Sequence, residues 1–309
     1  MRRSLQDMVT VITGASSGIG RALATDLAGR GGNLILAARR LDRLEELAND
    51  LRRDLPNNLP GKHHCIAADV SRTEDCHRIV AAAIEKFGRL DTIVCNAGYG
   101  FARPFDAMSE EDVRHIFDTN LFGTIECCRK AVVAMKRQDP RDGFRGQLMI
   151  VSSACARRGL PYFSTYAATK AAQLSLAEGL RIELKPFAIA VTSVHPVRCQ
   201  TEFFSTATDL SGMDPAALAE GNKQSPDAVA ARMVRAIEKP RGEVWPQAFS
   251  RLSLSIAVAI PAAVDKVMCG IRDRMLREHE NKNRPVTSAS ALGEDADSSL
   301  EEEIAHHLP

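Results

Sequence analysis

The sequence lacks a charge excess of either sign. Its 40 Lys and Arg stand against 39 Asp and Glu, so no global field draws the chain toward nucleic acid or an anionic membrane, and a small neutral partner fits better. It also lacks a C-x-x-C pair and any Cys/His group at metal-ligand spacing. The eight cysteines are scattered at positions 65, 76, 95, 127, 128, 155, 199 and 269, a pattern that speaks against a zinc site or a disulfide scaffold and reads as reduced thiols, mostly core filler, with no metal expected. There is no apolar leader: Asp7 and Thr10 interrupt the stretch after Arg2 and Arg3, which makes the cytoplasm the expected location. No internal repeat is present.

What the chain does have is alternation. Short β-branched or aliphatic runs at Val9–Thr13, Asn33–Ala38, His64–Ala68, Thr92–Cys95, Gln147–Ser152 and Ala188–His195 are separated by longer segments of helical periodicity. The helical segments are expected at Ile19–Arg30, Asp42–Leu55 (Leu44, Leu47 and Leu51 in register), Glu74–Phe87, Glu110–Lys136 and Tyr166–Leu184. Such alternation predicts an α/β fold, a Rossmann-like doubly wound parallel sheet with helices on both faces. Connections are short, so a single domain is expected over residues 1–280, with a helical extension from about position 246. From Asn281 the composition turns to Asn, Lys, Ser, Asp and Glu, and residues 281–309 read as a disordered polar tail.

The turn Thr13-Gly14-Ala15-Ser16-Ser17-Gly18-Ile19-Gly20 falls between the first strand and the first helix. There, backbone N–H groups and the positive helix end can hold a pyrophosphate, and glycine permits the close approach. A unit that binds NAD carries an acidic residue at the end of its second strand to bond the ribose hydroxyls. This chain has Ala38 followed by Arg39 and Arg40, whose guanidinium groups suit a 2'-phosphate. NADP(H) is therefore favoured over NAD(H). Asp69, Val70 and the run Asn96-Ala97-Gly98 lie at carboxyl ends of strands, the edge where such sheets bind ligands.

Tyr166 and Lys170 are four residues apart, so a helix projects both side chains from one face. An ammonium beside a phenol favours the phenolate and brings its pKa toward values useful for proton transfer. Ser153, thirteen positions before Tyr166 at the end of a strand, could bond a substrate oxygen.

With these motifs in this order, the chain resembles the short-chain dehydrogenase/reductase family of the compact one-domain type, over about residues 7–245. The resemblance rests on Gly14, Gly18 and Gly20, on Asn96-Ala97-Gly98, on Asn120, on Ser153, and on Tyr166 with Lys170. It implies that Tyr166 exchanges the proton, that Lys170 lowers its pKa and bonds the nicotinamide ribose, and that Ser153 orients the substrate oxygen. It also implies that Asn120 holds a water linking Lys170 to solvent, and that Thr201 approaches the nicotinamide amide or the pyrophosphate. A homodimer or homotetramer is implied as well. One departure is visible: the family's Pro-Gly after the sixth strand is Pro196-Val197 here, and a β-branched residue does not easily take positive φ, so a different bend is expected.

Residues 198–225 should close over the substrate, and Phe203, Phe204, Leu210 and Met213 make that segment apolar. Phe101, Phe105, Tyr162 and Phe163 could add walls. The expected substrate is thus a hydrophobic carbonyl compound or secondary alcohol. The apolar stretch Leu252–Val264, interrupted by Pro261, is too short to span a bilayer; core or subunit packing is preferred for it over a lid or a peripheral membrane contact supported by nearby Arg251, Lys266, Arg272 and Arg274. Two other functions fit parts of the pattern. A catalytically silent NADP(H)-binding sensor or scaffold would keep the fold without needing all of Ser153, Tyr166, Lys170 and Asn120. A sugar-nucleotide epimerase or dehydratase would want a substantial C-terminal substrate domain.

Overall fold

The computed structural model describes residues 2–54, 61–203, 205, 207 and 223–283. Among them a seven-stranded, all-parallel sheet runs in the order β3-β2-β1-β4-β5-β6-β7. The strands are β1 (Val9–Thr13), β2 (Asn33–Ala38), β3 (His63–Ala67), β4 (Thr92–Cys95), β5 (Gly146–Val151), β6 (Ile189–Val194) and β7 (Glu243–Val244). The central ones are apolar on both faces, as burial from two sides requires: every residue of β1, β4 and β5 is buried. Order reverses between β1, which pairs Ile12 with Leu36 on one side, and β4, where Val94 pairs with the same Ile12. The carboxyl ends of those two strands therefore open the crevice in which ligands bind on such sheets.

One face is covered by α1 (Gly18–Ala28), α2 (Leu41–Asp54) and α7 (Pro226–Glu238), whose Leu23, Leu27, Leu44, Leu47, Met233 and Ile237 share a core with Ile12, Leu36 and Val94. The other face carries α3 (Thr73–Phe87), α5 (Gly123–Lys136) and α6 (Ser164–Glu183), packed through Ile79, Ala131 and Ala177 on Val11, Ile93 and Leu148. Local signals set the ends. Ser109 and Asp112 form a reciprocal cap at the start of α4 (Glu110–Phe117), and Gly88 closes α3 in the left-handed region. All eight cysteines are free thiols, five of them buried and Cys269 exposed.

The opposite, amino-terminal edge of the sheet holds an ionic knot. Asp91, 1% exposed, accepts from the Val9 N–H at 2.9 Å and from Arg89 Nε at 2.9 Å. Arg3, 3% exposed, donates to the Asp91 carbonyl at 2.8 Å and to Gln147 Oε1 at 2.8 Å. Burial lowers the Arg3 guanidinium from 12.5 to about 10, with Asp91 opposing that drop.

Three differences from the sequence expectations have physical causes. The helix expected over Glu110–Lys136 is interrupted by a π-helical turn at Asp118–Phe122, which lets the Asn120 amide turn inward and bond Tyr99 and Thr169. β7 is only two residues long, too short to carry a period. The Leu252–Val264 stretch spans α8 (Ala248–Ala259) and the start of α9 (Pro261–Asn283), and much of it is not core: Leu252, Ile256, Val258 and Ile260 are more than half exposed. The inner side of this helix pair supplies Leu254, Met268 and Ile271 to a cavity, while Met275 is buried with Phe101, Ile116 and Phe163. Among the described residues no single helix is long and apolar enough to cross a membrane, although α8 and α9 together, bent by 111°, have the composition for it. α9 continues to Asn283, so the expected tail begins in helix; Phe204, Leu210, Met213, Leu55 and residues 284–309 lie outside the described residues.

Candidate active site

A cavity of about 670 Å³ lies over the carboxyl ends of the strands at the β1/β4 reversal. Of the residues expected to hold a cofactor, all but Gly20 line it. Gly20 is needed beneath it: a Cβ there would stand 2.3 Å from the Gly14 carbonyl oxygen and 2.7 Å from Asn96 Nδ2. Gly14 itself takes φ of 66°, a conformation that side chains disfavour. The loop is fixed by two residues whose work is internal. Thr13 Oγ1 accepts from the N–H groups of Asn96 and Ala97 at 3.0 and 3.1 Å, and the Asn96 amide donates to the Thr13 and Gly14 carbonyls at 3.0 and 3.2 Å. Thr13 could have been found from its place at the end of the first strand. The open concavity above the Gly14–Ile19 turn, with backbone N–H groups at a helix start, fits a dinucleotide pyrophosphate.

Val197 takes no positive φ, and its N–H is held by Gln224 Oε1 at 3.2 Å. The loop still reaches the phosphate turn, since a Cβ at Gly18 would lie 3.0 Å from Thr201 Cγ2. At the adenosine end the two arginines part company. Arg39 has no hydrogen bond or ion pair among the described residues, whereas Arg40 donates to Glu202 at 3.1 Å and to the Ser16 and Ser17 hydroxyls at 3.3 and 3.2 Å. Arg43 also bonds Glu202, and that hydrogen bond is the main cause holding the carboxyl below its usual range. Sequence reading did not single out Glu202. Asp69 lines the same wall; burial works to raise its pKa, but the Ser71 hydroxyl and N–H, at 2.7 and 3.0 Å, hold it below the usual value.

Ser153, Tyr166 and Lys170 meet at the cavity floor. Ser153 caps the turn after β5, its Oγ accepting from Cys155 N–H at 3.2 Å. Tyr166 is packed edge-on against Phe163 at 6.2 Å and beside Phe203 at 5.2 Å. Burial, and next the Cys155 thiol, push the Tyr166 phenol well above its ordinary value, and the counter-pull comes from the Ser153 hydroxyl. The expectation that Lys170 lowers it does not appear in this geometry: the Lys170 ammonium stands 5.6 Å from the ring centroid and donates to Val151 O and Gln173 Oε1, both at 3.0 Å. Burial lowers Lys170 from 10.5 to about 8.

Asn120 is held within the π-helical turn by its neighbours. It is fully buried, its amide donates to Tyr99 O at 2.9 Å and Thr169 Oγ1 at 3.1 Å, and its side-chain oxygen accepts from Tyr99 N–H at 3.0 Å. Its carbonyl accepts from Gln173 Nε2 at 2.5 Å and Thr124 Oγ1 at 2.8 Å. Protein donors thus take both lone pairs of that carbonyl. Phe101 and Tyr162 join the apolar cluster around Tyr166, while Phe105 is 77% exposed and walls nothing.

The family model described as short chain dehydrogenase matches residues 8–210. This chain belongs to the short-chain dehydrogenase family. The uncharacterized oxidoreductase YxnA of Bacillus subtilis is 32% identical over 92% of this chain and 76% of its own length. The 11-beta-hydroxysteroid dehydrogenase-like protein 4A of Arabidopsis thaliana is 40% identical over 61% of this chain, and the chain spans 60% of that relative's length. Among solved structures, an alcohol dehydrogenase of Thermococcus sibiricus complexed with 5-hydroxy-NADP superposes with a TM-score of 0.64 at 30% identity, over 77% of this chain and 95% of that one. A Burkholderia phymatum short-chain dehydrogenase/reductase in complex with NAD superposes with a TM-score of 0.73 at 22% identity, over 84% and 96%, and speaks for the fold.

This short-chain dehydrogenase also braces Ser153 through a residue that its motifs do not name. His195, fully buried, stacks on Trp245 at 4.4 Å, meets Ser193 Oγ at 3.0 Å and the Ser153 carbonyl at 3.3 Å. Burial lowers it from 6.5 to about 4, so in the folded enzyme it stays neutral where the unfolded chain is protonated. Stability is then complete above pH 6.5 and is lost as pH falls through that value toward 4, by up to about 3 kcal/mol. Urea unfolding at pH 7 and pH 4.5 should show this loss, and a His195→Asn variant should show a smaller one; an equal pH dependence in both would exclude His195 as its source.

Proposed function

We propose that the chain is an NADP(H)-dependent oxidoreductase acting between a carbonyl group and a secondary alcohol of a hydrophobic substrate. The reading is carried by one observation: Ser153, Tyr166 and Lys170 lie in the same cavity as the Gly14–Ile19 turn and Arg39. Bound there, a nicotinamide cofactor supplies or accepts the hydride. The residues supply the rest. Ser153 and Tyr166 hold the substrate oxygen, Tyr166 gives or takes its proton, and Lys170 bonds the cofactor ribose. Phe101, Phe163, Phe203, Leu254 and Ile271 exclude water around the reacting carbon. The hydroxysteroid-dehydrogenase-like and alcohol dehydrogenase relatives support this class of substrate.

NADP(H) is preferred on the strength of Arg39, with Arg40 as a second cation already engaged by Glu202. Fluorescence titration of the purified protein with NADPH and NADH tests this. NADPH should bind at least tenfold tighter, about 1.4 kcal/mol, and Arg39→Asp should erase the preference. Glu202→Gln should tighten NADPH several-fold and leave NADH unchanged, because the carboxylate competes with a 2'-phosphate for Arg40 and Arg43. Equal affinity of the wild type for both cofactors would overturn the preference. The exposed Phe122 at the end of the π-helical turn, Val133 on α5 and Ile182 on α6 support a homo-oligomer.

A further inference from the structure

Gln173 lies one turn beyond Lys170 on α6, completely buried, in a helix whose other inward residues are mostly small or apolar. Both ends of its amide are used. Its Oε1 accepts from the Lys170 ammonium at 3.0 Å, while its Nε2 donates to the Asn120 carbonyl at 2.5 Å and to Thr124 Oγ1 at 2.9 Å. An amide is the one uncharged side-chain group of this length that accepts at one end and donates at the other. A hydrocarbon here would leave the ammonium one acceptor poorer, and a second cation would repel it.

The surroundings of Lys170 make that acceptor consequential. Among the described residues its only other protein hydrogen bond runs to the Val151 carbonyl at 3.0 Å. The titratable groups near it are Tyr166 on the same helix, whose ring centroid is 5.6 Å away, and Cys155 on the turn after β5. No acidic side chain among the described residues acts on the ammonium. A buried cation with no carboxylate partner depends on oriented neutral dipoles to stay charged. The Asn120 turn fixes the direction of the Gln173 dipole, because the Nε2 end cannot leave the Asn120 carbonyl and Thr124 without losing both acceptors.

We propose that Gln173 is a positioning residue that ties Lys170 to the Asn120 turn, and that its fixed amide keeps the Lys170 ammonium charged and aimed at the cofactor. The inference rests on the functional reading above.

The test uses the full chain and a readout that needs neither cofactor nor turnover: NMR titration of the lysine Nζ resonances in protein labelled with 15N at that atom, with Lys170 assigned by Lys170→Met. In Gln173→Met, which keeps the length and removes the acceptor, Lys170 should titrate about one pH unit or more below the wild type. In Gln173→Glu, which places a carboxylate at the same point, it should titrate above the wild type. With an accepted carbonyl substrate, the alkaline limb of kcat should move in the same two directions while KM stays within about twofold. Lys170 titrating alike in the wild type and the Met variant, or moving the same way in both variants, would overturn the proposal; should Gln173→Glu not fold, the Met variant alone decides. If the NMR shifts occur while Tyr166→Phe retains full turnover, the functional reading fails and the role of Gln173 in holding the ammonium stands.

Discussion

Tyr166→Phe should lower kcat by roughly 10³-fold, about 4 kcal/mol of transition-state stabilisation, while leaving fold and cofactor affinity nearly intact. The ring is what packs: it lies against Phe163 and Phe203, and the substitution keeps those contacts. In the proposed reaction the hydroxyl gives or takes the proton. Burial holds the phenol protonated until the charges of the occupied site act on it, and its partner is the Ser153 hydroxyl. Removing that oxygen takes away the proton donor and leaves Ser153 as the remaining hydroxyl toward a substrate oxygen. NADPH titration and single-turnover kinetics on the same preparation separate the two effects. A variant that keeps more than a tenth of the wild-type rate would exclude Tyr166 as the acid. A wild type that binds NADPH yet turns over nothing across a broad panel of carbonyls and alcohols would favour a cofactor-binding sensor on the same fold.

The largest loss of stability is expected far from that chemistry, at Asp91→Ala. The carboxylate is buried, bonds the first N–H of β1 and the Arg89 side chain, and lies among Arg3, Arg89 and Arg141. Deleting it leaves buried positive charge uncompensated and a strand N–H unpaired, a combination that costs about 3–5 kcal/mol. For a chain of this size that corresponds to a fall in Tm on the order of 10 °C. Asp91→Asn should cost less than Asp91→Ala, since its amide oxygen can still accept from Val9 while the charge is gone. Differential scanning calorimetry of both variants checks the order; a loss below about 1 kcal/mol in Asp91→Ala would show that the knot is not structural.

How much of this was legible in the sequence varies with the physics of each part. The strands read well because fully buried parallel strands need continuous aliphatic runs, and predicted and observed bounds differ by a residue at most. That the glycine turn, Ser153, Tyr166 and Lys170 would share one cavity was legible because each lies at the carboxyl end of a strand or at the start of the helix that follows it. The π-helical turn was not visible: Asp118, Thr119 and Asn120 are weak helix formers but do not by themselves call for a π turn, and the distortion goes with Asn120 bonding Tyr99 across the chain. Gln173 and Glu202 were hidden for a related reason. Each acts on a partner brought near by tertiary structure, 53 residues away at Asn120 and 162 residues away at Arg40. The apolar Leu252–Val264 stretch was legible in part: hydrophobicity marked a helical extension but not which side of it meets the protein, and several of its large side chains face outward.

Strand β4 joins the two ends of the molecule. Asp91 precedes it and Asn96 follows it, a separation of about 16 Å at the rise of a parallel strand. One short rod therefore carries the ionic knot at its foot and the cofactor turn's staple at its head. Substitutions at such a distance, with no shared partners, combine additively. The foot of the sheet can accordingly be strengthened or weakened to suit an experiment, and the kinetics measured at the head will still report the chemistry alone.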